Sequence, residues 1–266
     1  MSERQDRDAF FARGWIRFPA DPSIAAWAAA ARPATEALMA APDAEYRCDG
    51  TWFPGVNILP NAGDGRLENG PALAGAPLDF VSEALALDGF VWDRAQVSAC
   101  LPGYPRQGEE ETDAAFRFRL NRDAAHVDGL LREKPARNRW LGETHGFILG
   151  IPLVDAAPSA SPMTVWEGSH EIMRAAFRRA FDGVDPARWS EIDLTEIYQE
   201  TRRSCFETCP RVEIPARFGE SYLVHRLALH GVSPWRAPPD DPPRIIAYLR
   251  PDPFPGATPE WWLARA

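Results

Sequence analysis

Lysine is almost absent from this chain of 266 residues: Lys134 is the only one, and every other basic residue is an arginine. Lys and Arg together number 29, against 38 Asp and Glu, so the formal net charge is -9. A surface of this sign repels a polyphosphate backbone. We therefore expect no nucleic acid partner.

Cysteine is also scarce, with residues only at positions 48, 100, 205 and 209. These are too few and too scattered for a disulfide framework, and they are typical of a protein in a reducing cytoplasm. Cys205 and Cys209 would share one face of a helix, but no second pair of Cys or His lies nearby to complete a zinc site. We expect buried or inert thiols at these two positions.

Long hydrophobic runs are missing as well. The longest, 24–31 and 147–154, are far shorter than the roughly 20 apolar residues that cross a bilayer. The N-terminal residues are highly charged, and no apolar core of signal-peptide length follows them. With 45% hydrophobic and 25% charged residues, the composition is that of an ordinary globular protein. These features predict a soluble, cytoplasmic protein without a membrane partner.

The hydrophobic pattern changes near residue 95. Before it, helices are predicted over 8–14, 23–41 and 78–87, in part because alanine favours the helix. After it, short apolar runs separated by Gly and Pro predict the strands of an antiparallel sheet system. These runs are 95–101, 124–128, 146–154, 211–214, 221–229 and 244–249.

A helical insertion interrupts the predicted strands between residues 154 and 211. Ser169 is a good N-cap for a first helix with an apolar face, and a second helix is predicted over 187–203. We find no repeat and no linker that divides the chain. The pattern predicts one α+β domain over 1–266, with a helical region over about 1–92, a mainly β core over about 93–250 and the insertion over about 168–205.

Of only five histidines, His126 alone has an acidic residue two positions later, Asp128. Side chains at positions i and i+2 of a strand point to the same face, so these two side chains could ligate one metal ion. Such pairs also arise by chance, so this one needs support from the rest of the sequence.

That support lies near the C-terminus, where His230 ends one predicted strand and Arg244 opens the next. Two histidines and one carboxylate on one face of a metal leave open positions, the arrangement that suits non-haem Fe(II) oxygen chemistry. Arg244 and Tyr248 would share a strand face. A guanidinium, which matches carboxylates with two hydrogen bonds, would then lie with a phenol beside the metal.

The order and spacing of these motifs resemble the phytanoyl-CoA dioxygenase-like branch of the Fe(II)/2-oxoglutarate oxygenases, over about residues 9–250. The matching motifs are GWIRFP at 14–19, His126-x-Asp128, WEGSH at 166–170, His230-Gly231 and Arg244. The resemblance implies a double-stranded β-helix. This is a jelly-roll or cupin-like pair of antiparallel sheets, with the N-terminal and inserted helices packed outside.

The resemblance also implies the roles of individual residues. The Fe(II) ligands, and thus the catalytic centre, would be His126, Asp128 and His230. The contacts to the cosubstrate 2-oxoglutarate would be Arg244, on its distal carboxylate, with Ser233 and Tyr248. This chain departs from the family pattern at Val232 and Trp235, where serine and asparagine are common, and at Gly150, near an expected tryptophan.

The activity implied is hydroxylation of a small-molecule substrate with O2 and 2-oxoglutarate. Asp128 favours hydroxylation over halogenation, because halogenating relatives carry a small residue there. The basic residues of segment 130–140 predict attraction of an anionic substrate; they are Arg132, Lys134, Arg137 and Arg139. Alternatively, this segment and the acidic segment 105–121 only neutralise each other at the surface.

Other interpretations stay open. A zinc hydrolase would use the same ligands, but it usually carries a His-x-His or His-Glu-x-x-His motif, which is absent. A non-catalytic or 2-oxoglutarate-independent metal-binding protein of the same fold is a second alternative. Arg244 would otherwise pair with Asp240 or Asp241. We expect a hydrogen-bonded packing role for His225, packing at a helix start for His170, with substrate contact as its alternative, and a strand-entry position for His145. We also expect Trp261 and Trp262 to anchor the tail or to meet a second subunit.

Overall fold

The computed structural model combines antiparallel strands with flanking helices and describes residues 3–132, 138–252 and 257–264. Its α-helices are α1 (Glu3–Arg13), α2 (Pro22–Met39), α3 (Ala76–Leu85), α4 (Asp113–Arg122), α5 (Ser169–Ala180), α6 (Thr195–Thr208) and α7 (Pro259–Trp262). Its strands are β1 (Trp15–Phe18), β2 (Trp52–Phe53), β3 (Gln96–Cys100), β4 (Leu130–Arg132), β5 (Arg139–Leu141), β6 (Phe147–Pro152), β7 (Met163–Trp166), β8 (Arg211–Ile214), β9 (Ser221–His225), β10 (His230–Val232) and β11 (Arg244–Leu249). A 3-10 helix covers Pro186–Glu191.

Two antiparallel sheets form the centre of the described residues. The larger has six strands in the order β1-β9-β6-β11-β3-β2, and the smaller has three in the order β10-β7-β8. Every pairing in both sheets is antiparallel. Strands β4 and β5 pair separately. The prediction of an α+β protein built on antiparallel sheets is confirmed.

Strand β11 contributes to both sides of the larger sheet, because side chains alternate between the faces of a strand. Ile245, Ala247 and Leu249 pack into an apolar cluster with the N-terminal helices. Ile246 and Tyr248 pack into a second cluster that includes residues of the smaller sheet. Burial on both faces explains why this strand reads as a nearly continuous apolar run.

The N-terminal helices cover the outer face of the larger sheet. Helix α2 begins after Asp21, whose carboxylate accepts hydrogen bonds from the backbone N–H groups of Ser23 and Ile24. Its fully buried residues recur at helical spacing; they are Ile24, Trp27, Ala28 and Ala31. Within the portion of the chain that the structure describes, no helix has the length and apolar character needed to cross a membrane.

The inserted helices α5 and α6 pack on the smaller sheet. Met173 and Phe177 of α5 share an apolar cluster with Tyr198 of α6 and Trp166 of β7. Helix α5 is present as predicted, but it starts at Ser169, which was predicted as its N-cap. Gly168 occupies that position. The predicted helix 187–203 is replaced by the 3-10 helix and α6.

The strand predicted over 221–229 is wrong as a single strand. Strand β9 ends at His225 in the larger sheet, and β10 begins at His230 in the smaller one. Between them, the N–H of Ala228 donates to the His225 carbonyl, and the N–H of Leu229 donates to Ser169 Oγ. The chain therefore crosses between the sheets, and His230 opens a strand instead of ending one.

The strand predicted over 124–128 is also wrong. Asp123 and Ala124 have φ angles of 53° and 51°, in the left-handed region, which ends α4 and interrupts an extended chain. What remains of the prediction is an isolated bridge between His126 and His230. Helix α4 and strands β1 and β7 were not predicted.

All four cysteines are free thiols, as predicted. Burial raises the pKa of Cys100 to about 11 and that of Cys205 to about 12. Burial also raises the pKa of Cys209. Thiols in this state are poor nucleophiles, since the thiolate is the reactive form. The cytoplasmic location stays a prediction.

Arg226 fixes the C-terminal segment. This buried guanidinium lies 4.0 Å from the centroid of the Trp261 ring. Burial, with the charge of Arg174, lowers the pKa of Arg226 to about 9, so its charge needs compensation by hydrogen bonds. It donates to the backbone carbonyls of Gly146, Trp261, Trp262 and Ala264. Trp262 is fully buried, and the predicted anchoring of the tail is confirmed.

Candidate metal centre

An antiparallel bridge brings His126 and His230 together. The N–H of His126 donates to the carbonyl of His230 at 2.8 Å, and the N–H of His230 donates to the carbonyl of His126 at 3.0 Å. Residues that exchange both hydrogen bonds lie directly opposite each other, with their side chains on the same side. The two imidazole centroids are accordingly 4.7 Å apart.

Both imidazoles are oriented in the same way. His126 Nδ1 lies 3.1 Å from the carbonyl oxygen of Ala124, and His230 Nδ1 lies 2.9 Å from that of Ala228. A carbonyl accepts only, so Nδ1 donates in each contact, and in the neutral form of each ring Nε2 has the lone pair that can bind a metal. Metal-binding histidines are held by this kind of contact.

Asp128 completes the cluster with one of its two oxygens. Its Oδ1 lies 3.2 Å from His126 Nε2 and 3.6 Å from His230 Nε2. The three candidate ligand atoms lie within 4.8 Å of one another. The other oxygen, Oδ2, accepts a hydrogen bond of 2.5 Å from Nε of Arg250.

Asp128 is held in its charged form. Its burial opposes ionisation, but the positive charge of Arg250 and the contacts with His230 and His126 hold its pKa well below the usual range. An ionised carboxylate beside two imidazole Nε2 atoms is a donor set that can bind a divalent transition metal.

The bridge depends on close approach at Gly231. A Cβ there would overlap the backbone carbonyl of Asp123, which accepts a hydrogen bond from the N–H of Val232. The Asp123 carboxylate is in turn held by Arg211, through Nε at 2.6 Å and Nη2 at 3.1 Å. The glycine after His230 is therefore a packing requirement of the bridge.

Arg244 lies in the interior between the sheets. Its Nη2 donates to Tyr248 Oη at 2.7 Å and lies 3.5 Å from Tyr222 Oη. In the described residues its Nη1 is buried without a hydrogen-bond partner. The alternative of an ion pair with Asp240 or Asp241 is wrong, because no such pair forms and Arg244 is buried.

Gly150 has a structural explanation. It pairs with both Tyr222 of β9 and Tyr248 of β11, and a Cβ at this position would overlap the ring of Tyr222. The tyrosine ring thus crosses the strand in the space that a side chain at 150 would take, and it carries its hydroxyl to Arg244. The other two departures from the family pattern are Val232 and Trp235. The indole of Trp235 is held by a hydrogen bond from its Nε1 to the carbonyl of Ala237.

Ser233 is buried, but its hydroxyl is already engaged. It donates to the carbonyl of Pro234 at 3.2 Å and accepts from Nη1 of Arg236 at 3.3 Å. Tyr248 contacts Arg244 directly, whereas Ser233 has no described contact with it. The role of Ser233 toward 2-oxoglutarate stays a prediction.

The remaining histidines lie outside the cluster, and His170 and His225 pack as predicted. The two rings lie 4.7 Å apart. His170 Nε2 donates to the carbonyl of Phe11 at 3.0 Å, and His225 Nδ1 accepts from the N–H of Leu227 at 3.1 Å. His145 lies just before β6, with Nε2 3.0 Å from Glu143.

The residue that sequence reasoning missed is Arg250. Arg244, Ile246 and Tyr248 share one strand face, and position 250 continues the same alternation just beyond β11. Extending that alternation by one step would have added a second arginine to the interior.

The predicted basic segment is only partly described. Lys134 and Arg137 lie outside the described residues. The guanidinium of Arg139 lies 5.8 Å from the centroid of the Tyr198 ring. Burial lowers the pKa of Arg139, and the like charges of Arg132 and Arg202 lower it further. Arg132, Arg139 and Arg202 therefore form a positive region. That this region attracts an anionic substrate stays a prediction.

Solved structures with a similar fold are known. They include AviO1 from Streptomyces viridochromogenes, with 15% identity, a TM-score of 0.51 and coverage of 96% of both chains. The epimerase SnoN, solved with Fe3+, alpha ketoglutarate and nogalamycin RO, has 16% identity, a TM-score of 0.51 and coverage of 94% of this chain and 83% of that one. EctD from S. alaskensis has 20% identity, a TM-score of 0.50 and coverage of 100% and 84%.

No protein-family model and no curated protein matches the chain. At these identities the solved structures establish similarity of fold alone. The predicted resemblance is therefore confirmed for the fold alone, as similarity to solved structures such as AviO1 and SnoN.

We predict that His225 makes stability depend on pH. Burial, and the nearby charges of Arg226, His170 and Arg174, hold its pKa well below its ordinary value. The unfolded chain binds a proton below about pH 6.5 that the folded chain does not bind, so this group lowers the free energy of unfolding as pH falls. The slope is at most about 1.4 kcal/mol per pH unit.

His225→Asn should therefore flatten the decline in stability between about pH 6.5 and 5, as measured by urea denaturation. The same substitution at His145, whose side chain is partly exposed, should leave the decline in place. Parallel curves for wild type and His225→Asn would contradict the assignment.

Proposed function

We propose that this protein is an Fe(II)/2-oxoglutarate-dependent dioxygenase that hydroxylates a small molecule. The observation that carries the proposal is the convergence of two imidazole Nε2 atoms and one carboxylate oxygen, on His126, His230 and Asp128. Two imidazoles and one carboxylate that leave coordination positions open suit non-haem iron. The fold of SnoN and AviO1 is consistent with this chemistry.

For the fold, we infer a double-stranded β-helix within one domain over 1–266. Its support is a six-stranded and a three-stranded antiparallel sheet that share one apolar cluster, as counted within the described ranges. Helices α1 to α3 cover one side, within the helical region of residues 1–92. Helices α5 and α6 form the insertion 168–205 in the β core 93–250.

Arg244 is the proposed partner of 2-oxoglutarate. A buried guanidinium with an unpartnered Nη1 needs an anion, and a carboxylate matches its geometry. Burial opposes its charge, but the phenols of Tyr248 and Tyr222 and the thiol of Cys100 raise the pKa of Arg244. It would therefore hold the distal carboxylate as a permanent cation, with Tyr248 and Ser233 as neighbours.

The residues of this chain would bind iron and 2-oxoglutarate, orient them and exclude water. Bound iron with 2-oxoglutarate and O2 would supply the oxidising chemistry, which protein side chains do not provide. The side chain of His126 is 49% exposed, whereas those of Asp128 and His230 are 11% and 4% exposed. A substrate would therefore approach from the side of His126, and the arginines near Tyr198 favour an anionic one.

A second candidate is a metal-binding protein of this fold that does not use 2-oxoglutarate. Its support is that two tyrosine hydroxyls already contact Arg244, and that Ser233 is engaged by Arg236. The two candidates differ in one respect, which is whether a dicarboxylate displaces these internal contacts.

We predict that the anaerobic protein binds one equivalent of Fe(II) and that added 2-oxoglutarate produces a weak visible charge-transfer band. After O2 is admitted, succinate should form. His126→Ala should abolish the band, because a ligand is lost, whereas His145→Ala should keep it. Metal binding without band or succinate would favour the second candidate, and no metal binding would exclude both.

Arg244→Met should weaken 2-oxoglutarate binding by at least about 30-fold, since truncating one partner of a buried charged pair costs roughly 2 kcal/mol or more. Fe(II) affinity should stay within about twofold of wild type, because Arg244 contacts no candidate ligand. Titration calorimetry with each ligand measures both. The 2-oxoglutarate affinity of Arg244→Lys should lie between those of wild type and Arg244→Met. An unchanged 2-oxoglutarate affinity in Arg244→Met would contradict the proposed role of Arg244.

A further inference from the structure

Arg250 links the candidate metal ligand to the larger sheet. Its Nε donates to Asp128 Oδ2 at 2.5 Å, and its Nη2 donates to Gln96 Oε1 at 2.6 Å. Its backbone N–H donates to Asp93 Oδ1 at 2.9 Å. Main chain and side chain are therefore both held, and the side chain is only 16% exposed.

The guanidinium is fixed from several directions. Gln96 is buried, and its Nε2 donates to the carbonyl of Pro54 at 2.8 Å, which aims its Oε1 at Arg250. The guanidinium also lies 5.8 Å from the centroid of the Tyr248 ring. These contacts fix the guanidinium relative to the larger sheet. The carboxylate that it binds is therefore fixed relative to the sheet as well.

The two oxygens of Asp128 have different partners. Oδ1 lies beside the Nε2 atoms of His126 and His230, and Oδ2 is taken by Arg250. An aspartate can otherwise rotate and offer either oxygen, or both, to a metal. With Oδ2 occupied, the carboxylate can present one oxygen only.

We propose that Arg250 is a positioning residue that makes Asp128 a monodentate metal ligand. This inference rests on the proposed metal site of His126, Asp128 and His230. Two effects of Arg250 on metal affinity oppose each other: its positive charge repels a cation, and its hydrogen bond orders the ligand. Partners of metal ligands typically contribute 10- to 100-fold in affinity, so the ordering effect prevails.

The test is an anaerobic titration of Co(II), a spectroscopic probe for the Fe(II) site, into wild type, Arg250→Met and Arg250→Lys. Arg250→Met should bind Co(II) about 10- to 100-fold more weakly. Its d–d bands should change in intensity, because a freed Oδ2 can raise the coordination number. Arg250→Lys keeps the charge without the fixed fork, and it should recover part of the affinity.

Arg94→Met is the matched control. Arg94 donates to the backbone carbonyls of Ile58 and Leu59 and does not contact Asp128. It should leave Co(II) affinity and spectrum unchanged. If Arg250→Met lowers only the melting temperature, or binds Co(II) more tightly than wild type, the proposal is overturned. If wild type itself binds no Co(II) or Fe(II), the proposed function fails instead.

Discussion

The reciprocal backbone hydrogen bonds between His126 and His230 are the constraint on which the site depends. They join a loop after α4 to the first residue of β10, so two distant segments present their imidazoles to one point. The close approach needs the glycine at 231. The bridge is therefore formed by the main chain, and it places the two imidazoles side by side.

Three charged groups in the interior of the described residues each have a partner or an atom left for one. Asp128 has Arg250, and Arg226 has the carbonyls at the C-terminus. Arg244 has two phenols and keeps Nη1 unpartnered among the described residues. Because burying an unpaired polar group is costly, such an atom marks the position where a ligand oxygen would be most stabilised.

Features with a local origin could be predicted from the sequence. Strands β8 and β11 match the predicted ranges 211–214 and 244–249. Strand β11 is buried along its whole length, and β8 alternates charged and apolar residues and ends at the buried Ile214. His126 and Asp128 were found by their spacing. Arg244 was found by its place at the start of a strand.

Features with a long-range origin could not be predicted from the sequence. The run Leu227-Ala228-Leu229 is apolar enough for a strand, yet it crosses between sheets because Leu229 donates to Ser169, a residue of α5. The carboxylate of Asp123, at the left-handed turn, is bound by Arg211 of β8, 88 residues later in the chain. Arg250 follows an apolar strand and resembles a surface residue until the fold brings Asp128 and Gln96 against it.

X-ray absorption at the iron edge of the anaerobic Fe(II) protein would show whether His126, Asp128 and His230 bind one metal ion, because imidazole rings give a distinct scattering pattern. We expect one iron per chain with two imidazole nitrogens and one carboxylate oxygen in its coordination shell. Iron with one imidazole or none, or a protein that retains no iron, would contradict it.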